Sequence, residues 1–122
     1  MQDLGQALIV NRAIKPDVHA VGTITGAAVD MKHCRKGILY LDLAAFASGA
    51  TADVTITECA TSGGTYTLHT TVAQKTAAGQ TTVEFKNFKR YLKVVIVVGV
   101  DTVEGSAVII GGVPRESKNL IS

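Results

Sequence analysis

The chain has no tryptophan, and phenylalanine and tyrosine together make up only 5% of its 122 residues. Large rings therefore cannot dominate its core. It has two prolines, Pro16 and Pro114, and the long stretch between them has none. That is the pattern of segments whose amides must join hydrogen-bonded ladders. Two cysteines, Cys34 and Cys59, are too few for a disulfide framework. The opening "MQDLGQALIV" has no basic stretch before an apolar run, so no signal peptide is expected. Reduced thiols in a cytosolically made protein follow as the default. The longest apolar run, residues 94–98 and Val100, falls far short of the roughly 20 residues a spanning helix needs, so no membrane partner is expected. A net charge of +2 is too small to point to nucleic acid by itself.

What remains is rich in valine, alanine and threonine. Hydrophobic residues make up 47% and charged residues 18%, a globular composition sized for one domain. β-Branched side chains favour pleated surfaces, and period-2 alternation recurs along the text. In "GILYLDLA", Leu39, Leu41 and Leu43 share one face and Ile38, Tyr40 and Asp42 the other. Val54 and Ile56 alternate with Asp53, Thr55 and Thr57, Tyr66 and Leu68 with Thr65, Thr67 and His69, and Val83 and Phe85 with Thr82 and Glu84. Residues 90–98 and 105–113 add two strands, and "GTITGAAVDM" at least one. Turns are signalled at Ser48-Gly49, 61–64, 77–80 and 101–105. The expected fold is all-β: a single β-sandwich or jelly roll of about seven to eight antiparallel strands. Residues 1–19 are expected as an N-terminal arm, 20–113 as the body and 114–122 as a C-terminal tail, with both arms extended. A short helix over residues 3–13 is the alternative for the first arm.

Catalytic and metal-binding constellations are weak. Cys34 in "MKHCRKG" is flanked by Lys32, Arg35 and Lys36, which would lower a thiol pKa, but no orienting acid is identifiable and a tucked turn cysteine is the stronger reading. A zinc site from His33, Cys34, Cys59 and His69 lacks the paired spacing that makes such signals specific. "TSGGT" at 61–65 has no following Lys-Ser/Thr and reads as a hairpin turn. No cofactor, metal or catalytic residue is assigned, and the protein is expected not to be an enzyme.

Two basic segments stand out. "KHCRK" at 32–36 and "KNFKRYLK" at 86–93 hold three and four of the twelve lysines and arginines. Phe88 and Tyr91 between basic residues could stack on single-stranded bases. Few aromatics and the missing RRM signature argue against it, so a solvated turn or a contact with an acidic protein surface ranks above nucleic acid. In the apolar half of that stretch, Leu92, Val94, Ile96 and Val98 share one face. On the other face, Lys93 marks an exposed rim, and Val95 and Val97 call for cover by a neighbouring segment or subunit.

Some motifs carry a resemblance. Val29-Asp30-Met31 leads to an apolar strand and a Gly-Ala turn. Thr55-Ile56-Thr57-Glu58-Cys59, Lys89-Arg90-Tyr91-Leu92-Lys93-Val94 and Gly112-Val113-Pro114-Arg115 follow in order. Over most of residues 25–115 the chain resembles small β-sandwich virion proteins of tailed bacteriophages, of the capsid decoration (cement) type. The resemblance implies a non-enzymatic protein on the outer capsid surface that binds the major capsid protein lattice and braces the head, as a homo-oligomer with a trimer favoured. It implies synthesis in the host cytoplasm. The residues expected to make capsid contact are Leu4, Leu8, Ile9, Val10 and Ile14 of the arm, as a hydrophobic staple, and Lys86, Lys89 and Arg90, as an electrostatic complement. Removal of residues 1–15 is expected to leave a folded body. A tail or head–tail connector subunit, a glycan-binding adsorption module and a single-stranded nucleic-acid binder are the alternatives.

Overall fold

Alternation along the strands sorts the side chains into two facing apolar layers. A computed structural model describes the backbone of residues 7–113 and the side chains of 10–112. Within them run β1 (Ala7–His19), β2 (Gly22–Thr25), β3 (Val29–Asp30), β4 (Lys36–Phe46), β5 (Thr51–Cys59), β6 (Thr67–Lys75), β7 (Gly79–Lys86), β8 (Tyr91–Gly99) and β9 (Val103–Val113). One sheet has the order β1-β9-β4-β7; the other has β2-β8-β5-β6, with β3 also on β8. All pairings are antiparallel.

β2 and β3 pair in turn with residues 95–98 and 91–92 of β8, so they act as two halves of one interrupted strand. With those halves merged, the pairing is nested: first with last, second with second-last, and so on inward to the β5–β6 hairpin. A long antiparallel ribbon folded over on itself gives this order, which is that of a jelly roll. The break between the halves is Gly26, whose amide still donates to the Val94 carbonyl (2.9 Å). A side chain at Gly26 would collide with the Ala13 carbonyl, so glycine is what lets β1 cross there.

The core lies between the sheets. β4 sends in Leu39, Leu41 and Leu43; β9 sends in Val103, Ala107 and Ile109; β5 gives Val54 and Ile56; β8 gives Leu92, Val94, Ile96 and Val98. Each large aliphatic group contributes about 1.5–3 kcal/mol on burial.

The expectation of an N-terminal arm is revised. Residues 7–19, expected as an arm, run as edge strand β1 along β9, from Ala7 opposite Val113 to His19 opposite Val103. Register shifts between Arg12 and Ile14 and between Ile14 and Asp17 hid its alternation, because the first lets the consecutive residues Ala13 and Ile14 both point inward. Pro16 sits at the second shift, at a sheet edge where its missing donor is tolerated. Removing residues 1–15 would therefore strip an edge strand and part of the core. The Tyr66/Leu68 face turns outward: the register shift between Ile56 and Thr57 puts Leu68 opposite Thr57, and Leu68 is 61% exposed. Val97 is 42% exposed; β2 lies beside β8 and not over it, so among the described residues no segment of the chain covers it.

Candidate functional site at the basic end

The β4–β7 register does what sequence order could not reveal. Lys36, the last residue of the first basic segment, lies directly opposite Lys86, the first of the second, and also opposite Gly112 on its other side. Two segments far apart in sequence thus form one end of the sandwich. The turns that make it are tight. His33 and Asn87 adopt left-handed conformations (φ 72° and 62°), and the Met31 amide donates to the Arg90 carbonyl (2.7 Å), tying the two turns together. The Arg35 amide donates to the Gly112 carbonyl (3.2 Å).

Not all seven cations of this end are available. Arg90 donates from Nε (3.0 Å) and Nη2 (2.9 Å) to the two oxygens of Asp30, a bidentate pair linking the start of β8 to β3. That guanidinium and the Lys32 amide, which donates to Asp30 Oδ1 (3.0 Å), hold the Asp30 carboxyl down at about 2. Arg90 also lies 4.9 Å from the Tyr91 ring centre, and Lys93 Nζ lies 4.5 Å from that of Tyr66. Lys32, Arg35, Lys36, Lys86 and Lys89 remain exposed. The Lys89 backbone amide donates to Glu58 Oε1 (3.0 Å), which pins the turn while leaving its ammonium outside.

Of the aromatic residues at this end, Phe85 and Phe88 face inward, whereas Tyr91 lies half-buried on the outer face of β8 beside Arg90. Phe88 packs on the core, edge-on to Phe85 (5.3 Å) and His69 (6.3 Å). A base-stacking platform would need that ring outside. Both ring nitrogens of His69 are engaged, Nδ1 with Thr70 Oγ1 (2.6 Å) and Nε2 with the Lys86 carbonyl (2.9 Å). Among the described residues, no three His, Cys, Asp or Glu side chains gather to hold a metal ion.

Cys34 lies against Gly111 and Met31 in the turn that follows β3, as the tucked reading expected. Burial, and after it the Asp30 carboxylate, pushes its thiol pKa up, opposite to what its basic neighbours suggested. Cys59 is buried beside Thr61, whose backbone amide draws its pKa down. The geometry around Cys34 builds no nucleophile.

The other expected contact residues scatter. Val10 lies on the outer face of the first sheet, 64% exposed, whereas Ile14 is in the core at 4% and cannot serve as a staple. Leu8 and Ile9 pair through their backbones with Gly112 and Gly111. Leu4 lies outside the described residues. The sequence reading missed the outer face of the first sheet, where Ile38, Tyr40, Val108 and Ile110 join Val10. Its only sequence signal is the second alternating face of "GILYLDLA".

The nested strand order and two-sheet core define a jelly-roll β-sandwich. No family model and no curated protein matches the chain. Among solved structures, it is similar to infectious bursal disease virus of the Gx strain (TM-score 0.57, 15% identity, 89% of this chain and 32% of the other). It is also similar to the T13 particle of infectious bursal disease virus (0.56, 14%, 89% and 31%) and to the VP2 subviral particle of that virus (0.54, 14%, 89% and 33%). The chain spans about a third of the length of the chains it matches. At such identity the likeness is one of fold.

Proposed function

We propose that the chain is a non-enzymatic structural protein of a virus particle, of the decoration (cement) type, which docks its basic end on an acidic patch of the major capsid protein. The observation that carries the proposal is the convergence of both basic segments at one end of a jelly roll. Five cations project from two turns and the strand ends beside them, tied by backbone hydrogen bonds and the Arg90–Asp30 pair. Rigid presentation lowers the ordering cost of each contact, and a symmetric lattice repeats that contact many times, so modest contacts suffice. The shared fold with proteins of viral particles supports this reading. In its full form the particle is the head of a tailed bacteriophage, which the motifs of residues 25–115 support, and the chain sits on the outer surface. Of the residues expected to touch the capsid, Lys86 and Lys89 keep that role, while Arg90 acts as the latch of the turn.

The test is co-sedimentation with capsid shells. Lys86→Glu with Lys89→Glu should leave the melting curve unchanged and reduce shell binding at least about tenfold, a reduction that added salt should mimic. Shell binding equal to wild type refutes the basic end as the contact. The same convergence favours a second reading, a polyanion site for single-stranded nucleic acid. Binding that falls steeply with salt would support it, and no binding at low salt excludes it.

A further inference from the structure

A sheet leaves a row of unpaired amides and carbonyls at each edge, and edge strands are ordinarily blunted by bulges, prolines or short length. The edges of the two sheets are β1, β7, β2 and β6. β1 has Pro16 and two register shifts, and β6 has two register shifts against β5. β2 is four residues long and gives way to β3 past Gly26. β7 has none of these devices. Its eight residues contain no proline and pair with β4 in unbroken register, from Lys36 opposite Lys86 to Leu43 opposite Gly79. Among the described residues no strand pairs with its other side.

Two contacts show which backbone groups face that open side. The Lys86 carbonyl accepts from His69 Nε2 on β6 (2.9 Å), so it is turned away from β4. The Gly112 carbonyl accepts from the Arg35 amide, so Gly112 and Lys36 opposite it direct their groups at each other and not at β7. In an antiparallel ladder a residue sends its amide and carbonyl to the same side, and successive residues alternate. The free groups of the β7 edge are therefore those of Gln80, Thr82 and Glu84, all three exposed, while His69 closes the edge at Lys86. That set is symmetric about Thr82.

We infer that the β7 edge pairs antiparallel with the β7 edge of a second copy, about a two-fold axis normal to the sheet beside Thr82. Thr82 then exchanges backbone hydrogen bonds with the partner's Thr82, and Gln80 with the partner's Glu84, twice by symmetry. The Gln80 side-chain amide lies beside the partner's Glu84 carboxylate and donates to it. The neighbouring registers are poorer. One centred on Glu84 opposes two carboxylates, and one centred on Val83 needs the Lys86 carbonyl that His69 occupies. One centred on Thr81 sets Glu84 opposite the partner's Ala78, outside β7. The contact is isologous and closes at two copies, unlike the trimer that the resemblance favoured. Strand reversal sends the basic ends to opposite poles, with Lys86 and the partner's Lys86 about 27 Å apart at about 3.4 Å per residue. On the docking reading above, the dimer is a two-headed brace that joins two acidic patches of a lattice; the pairing itself does not rest on that reading.

The experiment is sedimentation velocity of the full chain over a range of concentrations, joined to amide hydrogen exchange. The expected result is a monomer–dimer equilibrium in which the Gln80, Thr82 and Glu84 amides gain protection as the dimer forms. Thr82→Pro removes an amide that the β4 ladder does not use, so circular dichroism should show a folded chain while dimerisation weakens at least about tenfold. Thr82→Cys meets its own copy on the axis and should give a disulfide-linked dimer on oxidation. Glu84→Cys, whose copy would lie about 14 Å away, should not. Lys86→Glu with Lys89→Glu should dimerise as wild type does, so loss of docking and loss of pairing are read separately. A monomer at every concentration, a trimer, a dimer that Thr82→Pro leaves intact, or no cross-link at Thr82→Cys overturns the inference. So does a Thr82→Pro chain that unfolds, because its amide would then belong to the β4 ladder.

Discussion

The β4–β7 register, which creates the basic end, can be tested through a glycine–aromatic pair. Gly37 and Phe85 are directly opposed, one residue inward from Lys36 and Lys86. The Phe85 ring lies over Gly37, so a methyl group there would fall 2.6 Å from Cε2 and collide with Cζ. The ring has little freedom to move aside, because Phe88 and His69 pack edge-on to it at 5.3 and 6.0 Å. Gly37→Ala relieves the chain-entropy cost of a strand glycine, worth about 0.5–1 kcal/mol. The overpacking it causes costs about 1–3 kcal/mol, so a net loss is expected. Phe85→Ala empties a buried site and should cost about 3–5 kcal/mol. In the double variant the new methyl occupies space that the ring vacated. The combined loss should therefore be smaller than the sum of the single losses by about 1–2 kcal/mol. Urea unfolding, read as shifts in midpoint at constant slope, measures all four corners of the cycle. Strictly additive losses, or a neutral Gly37→Ala in the presence of Phe85, would show that the two residues do not face each other, and the register would be refuted.

Other outcomes follow from single contacts. Ile14→Ala should cost about 2–5 kcal/mol, while Val10→Ala on the outer face should change stability by less than about 0.5 kcal/mol; equal effects in urea unfolding would contradict the placement of β1. Asp30 should titrate at about 2, well below its ordinary 3.8, because Arg90 and the Lys32 amide favour its charged form. The folded pKa is the lower one, so its stabilising contribution is present above pH 3.8 and lost as the pH falls through about 2. Carboxyl NMR should find that midpoint and see it rise in Arg90→Gln; an unmoved midpoint refutes the pair. Cys34 should react with a thiol reagent at neutral pH more slowly than a small free thiol, since burial keeps it protonated; faster reaction would revive the nucleophile reading.

Much of the fold was legible because β4, β5 and β8 are central strands whose alternation is clean. Leu39, Leu41 and Leu43, Val54 and Ile56, and the row from Leu92 to Val98 all point where period 2 sends them. Edge strands were less legible. A shift in β1 turns Ala13 and Ile14 inward together, and a shift on β5 exposes Leu68, and neither leaves a local sequence mark. The site was legible only as its parts. Composition marks "KHCRK" and "KNFKRYLK" as basic, but their meeting at Lys36 and Lys86 depends on pairing between strands distant in sequence. The fate of Arg90 was hidden for the same reason, since its partner Asp30 lies 60 residues away. Val97 remains an open apolar position on the second sheet's outer face.

The central claim, that this jelly roll is a repeated structural component of a particle, is tested most directly by its copy number in purified particles, measured by quantitative mass spectrometry against the major capsid protein. The account predicts a number comparable with that of the lattice protein. A small ring number, such as that of a connector or tail, or absence from the particle, would contradict it.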